Sequence, residues 1–363
     1  MAASLSPAEV LERLDRDVRR AVRRGRNGLR YAAGTNPSPV DRTPKDLIWQ
    51  RDNARLWRYR NDSIEYRQPL LIVFSLVSKP YLLDLHPANS AVRTLGARGL
   101  DVMLLEWGVA EAVDAENTFE TYVDGYLPEA VDAAAAAAGA DEVTLLGYCL
   151  GGVLSVLSVA RHPDMPVRGL VAVATPADFT KLPGSMTRSM REKRLTPDDV
   201  IDETGNVPPE VVANSFRLMR PTMDLTQYAI LWENLWNDEF LEGYQAMSTW
   251  SHDHVPLVGG VFRQLVQQFV IDNALMDGRV ELGGEPVDLK AVTCPFLNVM
   301  AEKDNIVPVG AVEPLTALVG SADAEELRLD AGHVGLAASR TAAKVTLPRI
   351  ADWVIQHSDR REN

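Results

Sequence analysis

The stretch LLGYCLGGVLSV, residues 145–156, places one cysteine between glycines, directly after one apolar run and directly before another. The preceding run, EVTLLGY (142–148), is typical of a buried strand, and the run after the glycines is typical of a helix. A strand that passes into a helix through Gly-x-Cys-x-Gly-Gly is typical of a nucleophile elbow, in which the nucleophile occupies a tight, strained turn. The alternative is a buried structural thiol in a Gly-rich turn. We predict that Cys149 is the catalytic nucleophile.

A helix that begins directly after Cys149 would favour the reaction in two ways. Its N-terminus favours the thiolate form of the cysteine and directs backbone N–H groups toward the reacting atoms. An oxyanion hole in such an elbow takes one donor from the residue after the nucleophile and one from the turn after an earlier strand. We therefore predict that the backbone N–H groups of Leu150 and of Val77, in LVSK (76–79), form the oxyanion hole.

Further apolar runs alternate with helical segments on both sides of the elbow. This alternation predicts an α/β fold with a mostly parallel sheet and helices on both of its faces. The pattern stops at about residue 179 and resumes at about 289, and the intervening segment shows helical stretches and no clear strand. Before the first run, LIWQRDNARLWRYR (47–60) is expected to be a short helix or an extended lead-in. The predicted organisation is an N-terminal helical and lead-in segment (1–66), a core (67–178 and 289–363) and a helical lid insertion (179–288).

A thiol nucleophile needs a base, and the base needs an orienting acid. Asp304 directly follows the apolar strand of NVMAEKDNIVP, and His333 follows the next candidate strand in RLDAGHVG. The chain order nucleophile, acid, histidine is that of elbow-type triads. We predict that Cys149, Asp304 and His333 form a catalytic triad. His252 and His254 could suggest a metal, but without further clustered ligands we expect none.

The overall composition fits a cytosolic enzyme. The two cysteines stand in unlike contexts, and Cys294, before Pro295, is expected to be a packed structural thiol. The N-terminus lacks a signal pattern, and no apolar run is long enough to span a membrane. The net charge of −13 argues against a nucleic-acid binder.

The charge is distributed unevenly, because residues 1–30 contain eight arginines and four acidic residues. In this segment Leu11, Leu14, Val18 and Val22 recur at helical spacing, with arginines on the other faces. One interpretation is a solvated helix that packs by this single stripe. The other is a basic contact surface for a partner subunit, an anionic lipid or an acidic particle.

From about residue 42 onward the chain resembles the catalytic subunit of polyhydroxyalkanoate synthases, in the short forms called class III and class IV, within the α/β-hydrolase superfamily. The segments that carry the resemblance, in the family's order, are TPKDLIWQRDNARLWRYR, PLLIVFSLVSKPYLLDLHPANS, GYCLGG, TPADF, GNVPPEVV, MSTWSHDHVPLVGG, CPFLNVMAEKDNIVP and AGHVG. The resemblance implies that Cys149 is acylated, that His333 is the general base and Asp304 the acid, and that the insertion is a lid in which Trp250 matches a family position. Two positions depart from the family pattern: Glu106 replaces an Asp before Trp-Gly, and Asn305 replaces a His after the catalytic Asp.

The resemblance implies polymerisation of 3-hydroxyacyl-coenzyme A into a polyester, with release of coenzyme A. Coenzyme A thioester would then be the substrate, and we expect no cofactor. The expected partners are the growing polyester chain, a second, smaller synthase subunit and further copies of the chain, at the surface of a cytoplasmic granule. The alternative is a cytosolic cysteine hydrolase of the dienelactone hydrolase or thioesterase type, which would use the same triad with water as the acceptor.

Overall fold

The computed structural model describes residues 6–33, 40–219 and 223–361. Within these ranges the chain forms an eight-stranded sheet and a separate two-stranded hairpin. The strands are β1 (Lys45–Arg51), β2 (Ala54–Tyr59), β3 (Leu70–Val73), β4 (Val102–Glu106), β5 (Val143–Tyr148), β6 (Val167–Val173), β7 (Glu281–Leu282), β8 (Glu285–Pro286), β9 (Phe296–Ala301) and β10 (Ala324–Leu329). The α-helices are α1 (Pro7–Ala32), α2 (Ala91–Gly96), α3 (Leu127–Ala138), α4 (Leu150–Arg161), α5 (Ser185–Arg191), α6 (Pro209–Leu218), α7 (Met223–Asn234), α8 (Asp238–His252), α9 (Gly259–Gln264), α10 (Ala274–Asp277), α11 (Val309–Val312), α12 (Leu315–Leu318) and α13 (Leu347–Gln356).

The main sheet has the strand order β1-β2-β4-β3-β5-β6-β9-β10. The six strands from β4 to β10 in this order pair in parallel, whereas β1 and β2 pair antiparallel at one edge. Apolar residues of α3 and α4 cover one face of the sheet, and those of α2 and α13 cover the other. The predicted mostly parallel α/β fold is confirmed. Since parallel strands end at one edge, the loops after β3, β5, β9 and β10 meet there.

The lead-in segment is a β-hairpin at the edge of the sheet, so the helical alternative for residues 47–60 is wrong. Its three aromatic residues and Ile48 favour strands, and Asp52 turns the chain in a left-handed conformation with φ 51°. Arg58 of β2 forms a bidentate ion pair with Asp101, whose side chain is fully buried, and this pair fixes the hairpin to the sheet.

The insertion at residues 179–288 contains helices α5 to α10, but it also contains β7 and β8, so the expectation of no strand is wrong. Phe262, Val266 and Phe269 are buried in the same apolar cluster as the sheet residues. The ring of Phe269 stacks on that of Phe179 at 5.3 Å between centroids. These residues therefore belong to the main core. The division into core and lid stays a prediction.

Helix α1 begins with a capping box, in which Ser6 and Glu9 exchange hydrogen bonds between side chain and backbone. Its C-terminal half packs on α7 and α8 through its polar side, where the buried Asn27 donates to Leu235 O at 2.9 Å and to Asp238 Oδ1 at 2.7 Å. The apolar stripe of α1 faces solvent. The expectation that this helix packs by its stripe is therefore wrong. In the described part of the chain, no helix is both long and apolar enough to cross a membrane.

Candidate active site

Cys149 occupies the turn between β5 and α4 in a conformation that non-glycine residues rarely adopt, with φ 55° and ψ −120°. Two backbone hydrogen bonds hold this strained conformation: Cys149 N donates to Val173 O at 2.8 Å, and Gly152 N donates to Cys149 O at 2.9 Å. A strained backbone that its surroundings enforce is typical of functional positions. The geometry is that of the predicted nucleophile elbow.

The glycines around Cys149 are present because the surrounding backbone leaves no room for a side chain. A Cβ atom on Gly147 would lie 2.4 Å from the Cα of Gly152, and one on Gly151 would lie 2.2 Å from Val73 O. A Cβ on Gly152 would lie 1.8 Å from Thr175 Oγ1. The elbow thus packs directly against the end of β3 and against Thr175, which follows β6.

The structure brings Asp304 and His333 together with the elbow. Asp304 lies in the loop after β9, and its Oδ2 accepts a hydrogen bond from His333 Nδ1 at 2.7 Å. Its Oδ1 accepts from the backbone N–H groups of Ile306 and Val307, each at 2.8 Å. These three bonds fix the carboxylate, and the carboxylate in turn fixes the imidazole so that Nε2 remains for Cys149. The arrangement is the one predicted for a triad.

The environment of His333 changes its proton affinity in two opposing ways. Burial lowers the pKa of the imidazole, but the hydrogen bonds to Asp304 and Cys149 and the charges of those groups outweigh burial, and the pKa is raised to about 10. Protonated His333 is therefore favoured while Cys149 carries a negative charge. An imidazolium beside a cysteine is the environment that stabilises a nucleophilic thiolate.

Tyr148 supports the histidine loop, a role that the sequence analysis missed. Its hydroxyl donates to His333 O at 2.7 Å, and its ring stacks on Phe74 at 5.4 Å between centroids. Burial raises the pKa of this tyrosine well above its ordinary value, so the hydroxyl remains a donor. The sequence did contain a sign of this role, since Tyr148 ends a run of apolar strand residues and a buried tyrosine hydroxyl requires a hydrogen-bond partner.

The two predicted oxyanion donors lie at the carboxyl-terminal edge of the sheet. Leu150 is the first residue of α4, where the backbone N–H groups lack partners within the helix. Val77 lies in the turn after β3, and the next residue, Ser78, forms an isolated β-bridge with His254. The use of both N–H groups as oxyanion donors stays a prediction.

The end of α8 holds the loop that follows Val77. Trp250 Nε1 donates to Lys79 O at 2.9 Å, and Lys79 Nζ pairs with Asp253 at 2.7 Å. The hydroxyl of Tyr81 also donates to Asp253, at 3.0 Å. Trp250 therefore joins the insertion to this loop.

Cys294 and the histidines outside the predicted triad have other partners, and of these His254 lies beside the loop of Val77, because it forms the β-bridge with Ser78. Burial raises the pKa of the Cys294 thiol to about 11, which fits a packed thiol that does not react. His86 accepts a hydrogen bond from Ala88 N, and His254 stacks on Phe216. Among the residues that the structure describes, no group of three or more His, Cys, Asp or Glu side chains could hold a metal ion.

Glu106 and Asn305, the two residues that depart from the pattern implied by the resemblance, have different surroundings. Glu106, at the end of β4, accepts a hydrogen bond from Trp57 Nε1 at 2.7 Å, so the longer side chain links β4 to β2. Asn305 is exposed, next to the buried Asp304. With Asn305 in this position, Asp304 accepts the hydrogen bond from His333 Nδ1 at 2.7 Å.

Comparison with known proteins identifies the family. Residues 108–337 match the family model described as the alpha/beta hydrolase fold. A poly(3-hydroxyalkanoate) polymerase subunit PhaC from Allochromatium vinosum is 36% identical over 316 residues, which cover 86% of this chain and 88% of that protein. The chain belongs to the poly(3-hydroxyalkanoate) polymerase family. The fold and the family predicted from the sequence are confirmed.

Two further members of the polymerase family differ in length from each other. The PhaC subunit of Haloferax mediterranei is 34% identical over 322 residues, and the match covers 88% of this chain but 65% of that longer protein. The PhaC subunit of a Synechocystis species is 30% identical over 339 residues, which cover 90% of this chain and 89% of that protein. The subunits from Allochromatium vinosum and Synechocystis are thus matched over most of their length, whereas the subunit from Haloferax mediterranei is matched over 65% of its length. The narrower class III or class IV type stays a prediction.

Proposed function

We propose that this chain polymerises 3-hydroxyacyl-coenzyme A into polyhydroxyalkanoate through an acyl-Cys149 intermediate, with coenzyme A as the leaving group. The chain is an acyltransferase of the polymerase family on a hydrolase fold. The observation that carries the mechanism is the strained Cys149 at the start of α4, beside the His333–Asp304 pair. Under this proposal Cys149 is the nucleophile, His333 the base and Asp304 the acid that orients the base.

In the first step the Cys149 proton passes to His333, and the thiolate attacks the thioester carbonyl carbon. The carbon–sulfur bond to coenzyme A breaks, and coenzyme A leaves with a proton from His333. The N–H groups of Leu150 and Val77 would donate to the oxyanion of the tetrahedral intermediate. One thioester replaces another, so the acyl group remains activated. A serine would form an oxygen ester at this step and lose that activation.

In the second step the hydroxyl of another acyl unit or of a chain end attacks the acyl-Cys149 thioester. His333 accepts the hydroxyl proton, an ester bond forms, and the bond to the sulfur of Cys149 breaks. Acylation removes the negative charge of Cys149, which is one of the causes that raise the pKa of His333. The imidazole therefore loses its proton more readily in the acyl-enzyme and can serve as the base.

Transfer to an alcohol must be faster than hydrolysis, which requires that water be kept from the acyl-enzyme. Cys149 packs against two apolar clusters. One cluster contains Ala246 of α8, with Met247 and Trp250 packed against it, and Leu182 packs against the other. These side chains of the insertion would limit the access of water to the thioester.

The proposal also includes the cofactor, the location and the partner subunit of the enzyme. The reaction requires no cofactor, because coenzyme A enters as part of the substrate. The growing polyester would keep the chain at the surface of a cytoplasmic granule, where a second, smaller synthase subunit is expected.

The test is release of coenzyme A from 3-hydroxybutyryl-coenzyme A by wild type, Cys149→Ala and Cys294→Ala, with analysis of the product. We expect Cys149→Ala to lose release by at least about a thousandfold and Cys294→Ala to retain it. The second variant is matched, because it also removes one thiol but in a position remote from His333 and Asp304.

The product distinguishes the polymerase from the hydrolase. Cysteine-dependent release with insoluble polyester supports the proposal. Cysteine-dependent release with free 3-hydroxybutyrate alone would make the chain a hydrolase. Release that persists in Cys149→Ala would overturn the acyl-cysteine mechanism.

A further inference from the structure

The turn after β3, residues 74–79, carries Val77 and has little packed support. All of its residues except Val77 line a groove of about 350 Å³, so side chains do not fill the space beside the turn. The hydroxyl of Ser75 is buried and lacks a hydrogen-bond partner among the described residues. The position of this segment, which we call the β3 turn, therefore depends on hydrogen bonds between its backbone and other elements.

Two indole N–H groups bind the two ends of the β3 turn. Trp107 Nε1 donates to Phe74 O at 2.8 Å, at the start of the turn. Trp250 Nε1 donates to Lys79 O at 2.9 Å, at its end. An indole N–H is a donor on a rigid ring, so each bond sets the position of one carbonyl oxygen. Val77 lies between these two oxygens along the chain.

The indole of Trp107 is itself fixed by the main core. Its ring contacts the ring of Tyr122 edge to face, with 5.2 Å between centroids, and that of Tyr126 at 6.5 Å. Both tyrosines are buried in the apolar cluster that also contains sheet residues. Edge-to-face packing is a favoured arrangement of aromatic rings. The bond from Trp107 to Phe74 O therefore ties the start of the β3 turn to the core.

The end of the β3 turn is tied to the insertion instead. Asp253 pairs with Lys79 Nζ at 2.7 Å and accepts a hydrogen bond from the Tyr81 hydroxyl at 3.0 Å. Ser78 forms its isolated β-bridge with His254. These partners all come from the residues directly after α8. The two ends of the turn thus have anchors on two separate elements of the fold.

The start of the β3 turn also contacts the elbow. The ring of Phe74 stacks on that of Tyr148, and a Cβ atom on Gly151 would lie 2.6 Å from Phe74 O. Since Gly151 directly follows Leu150, a shift of the turn changes the distance between the N–H groups of Leu150 and Val77. Donors of an oxyanion hole lower the barrier only if they already stand about 2.7–3.1 Å from the position of the oxyanion. The position of the turn therefore bears directly on the rate.

We propose that Trp107 and Trp250 are positioning residues, whose indole N–H groups hold the β3 turn so that the N–H of Val77 reaches the oxyanion. This role rests on the proposed function, because it requires the tetrahedral intermediate that forms on Cys149. Neither indole takes part in bond making or breaking. Loss of either N–H should therefore act on the rate of acylation rather than on substrate binding, and a displacement of about 1 Å costs on the order of a hundredfold in rate.

The first test measures release of coenzyme A from 3-hydroxybutyryl-coenzyme A by Trp107→Phe and Trp250→Phe. Each substitution keeps an aromatic ring and removes the N–H donor. We expect kcat to fall about tenfold or more while KM stays within about threefold of wild type, because the donor acts on the intermediate alone. Trp353→Phe is the matched control, since it removes an indole hydrogen bond of 3.1 Å between α13 and β10 and should leave both constants unchanged.

A second measurement separates positioning from general damage to the site. When trifluoroacetonyl-coenzyme A binds, the thiolate of Cys149 forms a bond to the ketone carbon and the carbonyl electron pair moves to the oxygen, which makes an oxyanion. S-propyl-coenzyme A has no carbonyl and makes none. We expect Trp250→Phe to weaken binding of the ketone about tenfold or more and of the thioether less than about threefold. Alkylation of Cys149 by iodoacetamide needs the thiolate but no oxyanion hole, so its rate should remain that of wild type.

A third variant reaches the β3 turn without altering an aromatic ring. Asp253→Asn removes the ion pair with Lys79 from a side chain that is partly exposed, so the chain should fold normally. We expect kcat to fall about threefold with KM unchanged, a smaller effect than that of the indoles because the pair is solvated. This variant reports on the turn if a tryptophan variant does not fold.

Two kinds of result would overturn the positioning role alone. One is a kcat that either folded tryptophan variant leaves unchanged while release still depends on Cys149. The other is an equal loss of affinity for the ketone and the thioether, which would indicate damage to the whole site. Release by wild type that does not depend on Cys149 is a different outcome, because it overturns the proposed function and the positioning role with it.

Discussion

Replacing Gly152 with alanine should destabilise the fold through one identified contact. The added Cβ would lie 1.8 Å from Thr175 Oγ1 and 2.9 Å from the Cβ and Cγ2 of the same residue. Thr175 is 1% exposed and follows β6, so its side chain has no open space to enter. Overpacking of this kind costs about 1–3 kcal/mol. We expect Gly152→Ala to lose at least about 2 kcal/mol of unfolding free energy.

The same contact predicts a rescue. Thr175→Ala removes Oγ1 and Cγ2, two of the three atoms that an alanine at residue 152 would meet. Alone, Thr175→Ala loses a hydrogen bond of 3.4 Å to Val173 O and a buried methyl group, at a cost of about 1 kcal/mol. The double variant should therefore be more stable than Gly152→Ala, with a coupling energy of about 1–3 kcal/mol.

Two other glycines provide matched controls. Gly151→Ala places its Cβ 2.2 Å from Val73 O, a backbone atom, so Thr175→Ala should not rescue it. Gly243, inside α8, has no atom within 4 Å of an added Cβ. There alanine should stabilise the helix by up to about 1 kcal/mol, because glycine is the poorer helix former.

The assay is urea denaturation of the full-length variants, followed by circular dichroism at one protein concentration. If Gly152→Ala stays within about 0.5 kcal/mol of wild type, the elbow is less rigid than its contacts indicate. If the effects of Gly152→Ala and Thr175→Ala simply add, Thr175 is not the residue that excludes the side chain.

Three further predictions concern the triad and its support. Tyr148→Phe removes the hydroxyl that donates to His333 O at 2.7 Å and leaves this oxygen the longer bond from Leu336 N at 3.2 Å, so it should cost about 1 kcal/mol in urea denaturation. Tyr59→Phe removes a buried hydroxyl without a partner in the described structure and should be neutral or stabilising, and equal effects of the two variants would contradict this reasoning. Cys149→Ala should lower the pKa of His333, measured by NMR titration, because the thiolate raises it; an unchanged value would argue against their contact. Since the pKa of His333 in the folded state lies above the ordinary 6.5, stabilisation of its protonated form is complete below about pH 6.5 and is lost as pH rises through the folded value of about 10. The difference in unfolding free energy between wild type and Asp304→Asn should therefore shrink as the pH rises from about 6.5 to about 10. A difference that stays constant in urea denaturation over this pH range would refute the raised pKa of His333.

The sequence by itself predicted the elbow and the residues that meet it. Gly-Tyr-Cys-Leu-Gly-Gly between a strand and a helix has few structural solutions, because the close approach of backbones requires glycine at fixed positions. Asp304 and His333 each follow an apolar strand, and parallel strands bring the loops at their carboxyl ends to one edge. Their meeting could therefore be predicted from chain order, without knowledge of any side-chain contact.

The tertiary structure alone decided how the ambiguous segments are used. Residues 47–60 became strands because β2 pairs with β4, and the sequence gives no local sign of that partner. The apolar stripe of α1 was visible in the sequence, but its outward direction depends on contacts of Asn27 with Leu235 and Asp238, more than 200 residues away. Local periodicity determines which residues share a face. Only long-range packing determines whether that face is buried in the core or remains exposed.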